Sequence, residues 1–210
     1  MNGSIRLIAP YAAWMVLMAV LPATASAYAI RTGVVAAILL VVLRSECRKF
    51  LLGVPSRNTA VSPRSDFRSF LPSLAAGLAT GVVIFIAWIA PEQVEWEWYR
   101  KWCIVGEGGT QAVAEASAAM IAVRLIGSAF VISVAEELFF RKWLIGFAGF
   151  WWMVALFAIE HDRWLVGAIA GAVYGLLYLR RGLGAAIVAH ATTNLVLGLW
   201  VLRTGQWQFW

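Results

Sequence analysis

The chain has 210 residues, of which 62% are hydrophobic and 13% are charged. This much apolar surface excludes an ordinary soluble domain of the same size, and long stretches almost free of charge predict membrane spans. The net charge of +6 is typical of basic loops beside a membrane. Because no basic stripe interleaves with aromatic residues, we expect no nucleic-acid partner.

The apolar segments predict an all-α, polytopic transmembrane bundle that forms a single membrane domain over residues 1–210. Residues 1–111 would hold the N-terminal helices and a basic loop, and residues 112–202 a core that carries buried charges. The stretch "ATASAYA" after the first segment resembles a signal-peptide cleavage site, but the next apolar segment follows almost at once and favours a retained helix. Seven segments are predicted, at about residues 7–24, 27–43, 68–90, 112–146, 149–161, 163–180 and 183–202.

Charge in the loops predicts the orientation of the bundle. The loop of residues 44–68 carries six arginine or lysine residues against two acidic ones, so we expect it in the cytoplasm. Arg180 and Arg181 then also lie inside, while the Trp-rich loop of residues 91–109, with four glutamates, suits the outer interface. This orientation predicts a cytoplasmic N-terminus and an outer C-terminal "TGQWQFW".

Ionisable residues inside the apolar segments are functional candidates, because a charge in lipid is costly. Glu137 and Arg141 are spaced i and i+4, so they can pair on one helix face. Glu136 is turned by about 100° and has no local cation, which suits a general base or acid. Glu115 and Arg124 match no motif, and we interpret them as structural. The full set is Glu115, Arg124, Glu136, Glu137, Arg141, Glu160, His161, Asp162, Arg163 and His190.

Both histidines of the chain have a partner one helical turn away. Phe157 precedes His161 by four residues, and Asn194 follows His190 by four. His190 and Asn194 share a face and can both donate hydrogen bonds, as an oxyanion site requires. Turns are expected near residues 146–149 and 182–184. With a rise of about 1.5 Å per residue, these turns let Glu136 and both histidines meet near the middle of the membrane.

These residues form an ordered set of motifs that resembles the CPBP family, the type II CAAX prenyl endopeptidases and the bacteriocin-processing or immunity proteins. The motifs are "EELFFR" at 136–141, "FAIEH" at 157–161 and "HATTN" at 190–194. The resemblance covers about residues 112–202. It implies an intramembrane endopeptidase whose substrate is a membrane-anchored or lipidated protein or peptide.

The resemblance also implies a role for each motif residue. Glu136 and His161 would activate a water, and His190 with Asn194 would stabilise the oxyanion. Glu137 and Arg141 would support the site, and Phe157 would shape the pocket. A glutamate-dependent mechanism without metal is implied, and zinc on Glu136, His161 and His190 is the alternative. Glu160 and Asp162 flank His161, where the family is usually apolar or small, and could favour a cation.

The tail "TGQWQFW" and the stretch "EHDRWLVG" resemble a bacterial subgroup, the CAAX prenyl protease-related proteins found with exosortase systems. This resemblance implies an inner-membrane location and a functional link to an exosortase. Two other functions stay open: an ion-coupled transporter, since intramembrane charges also mark ion pathways, and a non-catalytic scaffold or immunity-type protein.

Overall fold

The computed structural model describes residues 3–51, 67–105 and 117–209. Its described residues form helices joined by short connections, which confirms the predicted all-α fold. In chain order the helices are α1 (Gly3–Val20), α2 (Ala25–Leu51), α3 (Phe67–Gln93), α4 (Glu97–Cys103), α5 (Ala118–Ala148), α6 (Phe150–Ile159), α7 (Trp164–Arg181) and α8 (Leu183–Thr204), followed by a single 3₁₀ turn, Trp207–Phe209.

Helix α4 was not predicted, because its sequence lies in the charged, Trp-rich loop. Tyr99 and Cys103 are four residues apart, so both fall on one face of this helix. That face is buried against Val166 of α7. Tertiary burial of two side chains therefore decides the structure of a segment whose composition favours a loop. Most of the basic loop, residues 52–66, and Glu115 lie outside the described residues.

Five of the described helices, α1, α2, α3, α5 and α8, are long and apolar enough to cross a membrane. The chain is thus a multi-pass membrane protein. Helix α6 has only 10 residues, which span about 15 Å, half of a hydrocarbon core about 30 Å thick. Residues 149–161 therefore do not supply a full span alone, and the count of seven spans stays a prediction.

Glycines set the two turns that the sequence predicted. Gly149 separates α5 from α6 with φ 92°, and Gly182 separates α7 from α8 with φ 86°. Side chains other than hydrogen strongly disfavour these backbone conformations. The turn at Gly149 lets α6 pack on the end of α5, and the turn at Gly182 lets α8 pack on α7.

Small residues let the helices around the core approach closely. A Cβ atom on Gly81 of α3 would lie 2.5 Å from the Ala189 carbonyl oxygen of α8. On α7, Gly171 leaves room for the Phe157 ring, and a Cβ atom there would lie 3.1 Å from it. Gly167 and Gly175 of α7 also lie close to Ala158 and Met153 of α6, so these glycines serve helix packing.

Candidate active site

One cavity brings together the three motifs that the sequence places on separate helices. Its volume is about 210 Å³, and it lies between α3, α5, α6, α7 and α8. Four predicted site residues and Phe157 line it. The lining is Trp88, Ser128, Glu136, Phe157, His161, Ala170, Tyr174, His190, Thr193, Asn194, Leu197 and Phe209.

The two adjacent glutamates lie in a short α-helical section of α5 between two wider turns. Residues Gly127–Ile132 and Leu138–Leu144 have π-helical hydrogen bonding, and Ser133–Glu137 between them is α-helical. π-Helical turns are rare in proteins, and those that occur are often found at functional sites. Here they flank the section that carries Glu136 and Glu137, so the local irregularity coincides with the buried charges.

Glu137 lies behind the cavity in a fully buried ion pair, as its spacing from Arg141 predicted. Its Oε1 atom is 3.1 Å from Nη1 of Arg141, and both side chains have no exposed surface. The same oxygen accepts a hydrogen bond from Nδ1 of His190 at 2.9 Å. A buried carboxylate needs such partners, because an unpaired charge there is strongly destabilising.

Aromatic rings surround the guanidinium of Arg141. Its central carbon lies 4.2 Å from the centre of the Phe157 ring, 5.5 Å from Tyr174 and 5.7 Å from Phe140. The negative faces of such rings attract a cation most strongly when it is desolvated. Phe157 thus contacts the buried cation on one side and lines the cavity on the other.

Glu136 faces the cavity and has a different environment from Glu137. Its Oε2 atom is buried and makes no hydrogen bond to any described residue. The nearest cationic partner is Nε2 of His190, at 3.7 Å. This separation exceeds a direct hydrogen bond and leaves the carboxylate oxygen free for a small polar molecule.

His190 lies between the two carboxylates and stacks on a tyrosine ring. The Tyr174 ring is 5.2 Å from the imidazole at an angle of 24°. Nδ1 donates to Glu137, so Nε2 points toward Glu136. Nε2 is thus the His190 ring nitrogen that faces the cavity side of the site.

His161 follows the end of α6, at the level of Gly167 near the start of α7. Its Nδ1 atom is 2.7 Å from the Phe157 carbonyl oxygen, which can only accept, so Nδ1 carries the hydrogen. Nε2 is then the acceptor of the neutral ring. The Phe157 ring lies close to both histidines, with centroids 4.6 Å from His161 and 5.8 Å from His190.

Asn194 lines the cavity, but its amide nitrogen is already bonded. It donates to the Ser128 carbonyl oxygen at 3.0 Å and to Oγ of Ser133 at 3.1 Å. These two bonds use both N–H groups of the side chain. In this conformation Asn194 braces the first wide turn of α5, and His190 is the better placed of the two predicted oxyanion donors.

Sequence reasoning missed several residues of the cavity wall. Tyr174 and Thr193 are joined by a hydrogen bond of 2.6 Å, and Thr193 also donates to the Gly81 carbonyl oxygen at 2.8 Å. The Trp88 ring lies 5.4 Å from His161. Thr193 is one helical turn from His190, and this spacing could have indicated that it belongs to the site. No spacing indicates Trp88, because its contact with His161 joins distant parts of the chain.

The remaining intramembrane charges have varied surroundings. Arg124 lies over the Tyr28 ring at 5.0 Å, in line with a structural role. Arg163 is buried and forms an ion pair with Glu92. Glu160 lies within hydrogen-bonding reach of the Tyr11 hydroxyl, and Asp162 is exposed. Neither Glu160 nor Asp162 lines the cavity.

A cysteine nucleophile does not fit the cavity. Cys103 is buried in α4, away from the cavity lining. Burial raises the pKa of its thiol and lowers the fraction of reactive thiolate.

The residues of the alternative zinc site do not form a ligand set in this arrangement. Among the described residues, no group of three or more His, Cys, Asp or Glu side chains is placed to hold a metal ion. Glu136 and His190 are adjacent, and the bond of His190 Nδ1 to Glu137 leaves Nε2 as the one nitrogen of that ring able to bind a metal. His161 and His190 both lie near the Phe157 ring, at 4.6 Å and 5.8 Å between centroids.

The fold and the site define a multi-pass α-helical membrane protein with carboxylates and imidazoles around a cavity between its helices. Residues 118–196 match the family model of the type II CAAX prenyl endopeptidase Rce1-like proteins. All three motifs lie in that stretch, and the match confirms the resemblance to the CPBP family of CAAX-type proteases. Comparison with curated proteins finds no match, and comparison with solved structures finds none either.

Proposed function

We propose that the protein is an intramembrane endopeptidase that hydrolyses a peptide bond with a water activated by Glu136 and His161. The observation that carries this proposal is that two residues lining one cavity, Glu136 and His161, each keep an acceptor atom for a water. Glu136 Oε2 is buried without a hydrogen-bond partner, and His161 has its Nδ1 bonded so that Nε2 is an acceptor. Two such acceptors in one cavity suit a water that must lose a proton.

The reaction would follow from these positions. Glu136 accepts a proton from the water while the water oxygen bonds to the substrate carbonyl carbon. His161 Nε2 accepts a hydrogen bond from the other O–H group of the water. The carbonyl π electrons move to oxygen and form an oxyanion. The carbon–nitrogen bond then breaks, and the proton held by Glu136 passes to the leaving amine. One water is consumed, and an acid and an amine are formed.

His190 would be the main oxyanion donor. Its Nδ1–H bond to Glu137 directs Nε2 toward Glu136, and an N–H group at Nε2 would donate to the developing negative charge. Asn194 would add a second donor if one of its bonds to Ser128 or Ser133 exchanged for the substrate. Glu137 and Arg141 would orient His190, and Phe157 would shape the pocket beside both histidines.

The proposed enzyme works without a metal, in keeping with the surroundings of Glu136, His161 and His190. It would lie in the inner membrane of a bacterium, with its N-terminus in the cytoplasm and its C-terminus outside. Its substrate would be a membrane-anchored or lipidated protein or peptide. A functional link to an exosortase system is part of the same proposal and rests on the C-terminal sequence alone.

The test is cleavage of a membrane-peptide library by the purified protein, with and without a chelator, together with its metal content. We expect cleavage that survives the chelator and disappears in Glu136→Gln. Chelator-sensitive cleavage with one zinc per chain would move Glu136, His161 and His190 to metal ligands. No cleavage by the wild type would favour the scaffold, and ion-coupled flux in liposomes would favour the transporter.

A further inference from the structure

The C-terminal segment of residues 205–209 folds back onto the bundle. Helix α8 ends at Thr204, Gly205 has φ 71°, and the next residues form a single 3₁₀ turn. The Phe209 ring at the end of this turn is 5% exposed and packs on Leu197 and Val201 of α8. The segment therefore lies on the bundle instead of extending away from it.

Two sets of contacts hold the segment in place. The Arg163 guanidinium lies 4.4 Å above the Phe209 ring, and Arg163 is itself paired with Glu92 at the end of α3. Gln206 and Gln93 are joined by a side-chain hydrogen bond of 2.9 Å. None of these contacts is covalent, and the glutamine pair is exposed, so the segment can detach without breaking a helix.

Phe209 forms part of the wall of the candidate active-site cavity and packs in one cluster with Trp88, whose ring lies 5.4 Å from His161. The cavity volume is about 210 Å³. Pockets that bind small molecules usually have volumes of roughly 300–1,000 Å³. A peptide with its flanking side chains and the attacking water needs more room than this conformation offers.

We propose that residues 205–209 form a movable wall of the cavity, and that Phe209 must move away before a peptide reaches Glu136 and His161. Phe209 is then a residue that controls substrate access and limits the size of the group beside His161. The role in access to the cavity stands on the geometry alone. The role in substrate selection rests on the proposed endopeptidase function.

Access can be measured without any cleavage assay. Ser128 lines the cavity, so Ser128→Cys in a Cys47→Ser/Cys103→Ser background reports on entry of a charged, water-soluble thiol reagent. Adding Phe209→Ala should raise the labelling rate by at least about tenfold, because the segment loses its cation–π contact and its buried ring. Gln208→Ala, which changes an exposed side chain of the same turn outside the cavity wall, is the matched control and should change the rate little.

Equal labelling rates with and without Phe209→Ala, in proteins that elute and melt alike, would overturn the proposal. An equal increase in Gln208→Ala would also overturn it, since the effect would then not depend on the Phe209 ring.

Cleavage supplies the second arm of the test. In the same cysteine-free background, Gln93→Cys/Gln206→Cys can be joined by a short bifunctional methanethiosulfonate reagent that a reductant removes. We expect cleavage to fall at least about tenfold when the segment is tethered and to recover on reduction. Full cleavage by the tethered protein would contradict a movable wall. Absence of cleavage by the wild type would count against the proposed function, while the labelling result would still decide access.

Discussion

Glu136 and Glu137 lie side by side in the sequence, in two regions of the molecule with opposite surroundings. Behind the cavity, the ion-pair core of Glu137, Arg141 and His190 joins one carboxylate oxygen to two cationic or hydrogen-bonding partners. At the cavity wall, Glu136 Oε2 accepts no hydrogen bond from the described residues, and the Nδ1 bond of His161 leaves Nε2 as the acceptor of the neutral ring. Paired charges stabilise a site, whereas unpaired ones are available for chemistry.

The largest expected effect comes from replacing each carboxylate in turn by a neutral amide. Glu136→Gln should lower the cleavage rate by about 10²–10⁴-fold, because it removes the proposed base, and should leave stability unchanged or slightly higher. Glu137→Gln should lower stability and reduce cleavage only in part. Peptide cleavage and unfolding of both variants in detergent would test the contrast, and the opposite pattern would exchange the two roles.

Removing the cation of the ion-pair core should cost the most stability. Arg141→Met leaves Glu137 buried without its main partner, and we expect a loss of about 3–5 kcal/mol in the free energy of unfolding. The double variant Glu137→Gln/Arg141→Met removes both charges and should recover much of that loss. Reversible unfolding in mixed detergent micelles would measure both. Identical losses in the single and double variants would show that the charges are not coupled.

Close packing of α3 on α8 is expected to position His190 and Thr193. Gly81→Ala would place a methyl group 2.5 Å from the Ala189 carbonyl oxygen, so the helices must separate, at a cost of about 1–3 kcal/mol. Gly33→Ala is the matched control, because a Cβ atom on that helical glycine meets nothing within 4 Å. Thermal unfolding of both variants would measure the difference, and equal melting temperatures would argue against a tight contact.

The smallest expected effect concerns the hydroxyl of Tyr174, whose ring stacks on His190. Tyr174→Phe keeps the stacked ring but removes the hydroxyl that bonds to Thr193 at 2.6 Å. We expect a loss of roughly 0.5–1.5 kcal/mol in stability and little change in the cleavage rate. A large loss of cleavage at unchanged stability would show that Tyr174 takes part in the reaction together with Glu136 and His161.

Much of the candidate site could be predicted because it depends on the spacing of residues that are close in sequence. The spacing of Glu137 and Arg141 fixes one helix face, and the structure confirms their ion pair. The glycines at the two predicted turns allowed an estimate of depth, and Glu136, His161 and His190 do line one cavity. The roles of these residues stay predictions, since the arrangement alone does not measure activity.

Other features depend on contacts between distant residues. Helix α4 and the bond from Asn194 to Ser133 have no signature in their own sequence, because their partners lie on other helices. Both Asn194 N–H groups are bonded to acceptors on α5. The positions of these acceptors depend on the wide turns that flank the glutamates.

By itself, the sequence determined that this chain is helical, crosses a membrane and carries a small set of costly buried charges. Hydrophobicity and helical periodicity are properties of neighbouring residues, so they can be read without a structure. Only the tertiary structure decided that His190 joins the ion pair of Glu137 and Arg141 and that Phe209 closes one wall of the cavity. Those outcomes depend on which side chains of separate helices meet in a low-dielectric interior, where a partner a few ångströms away changes what a charge can do.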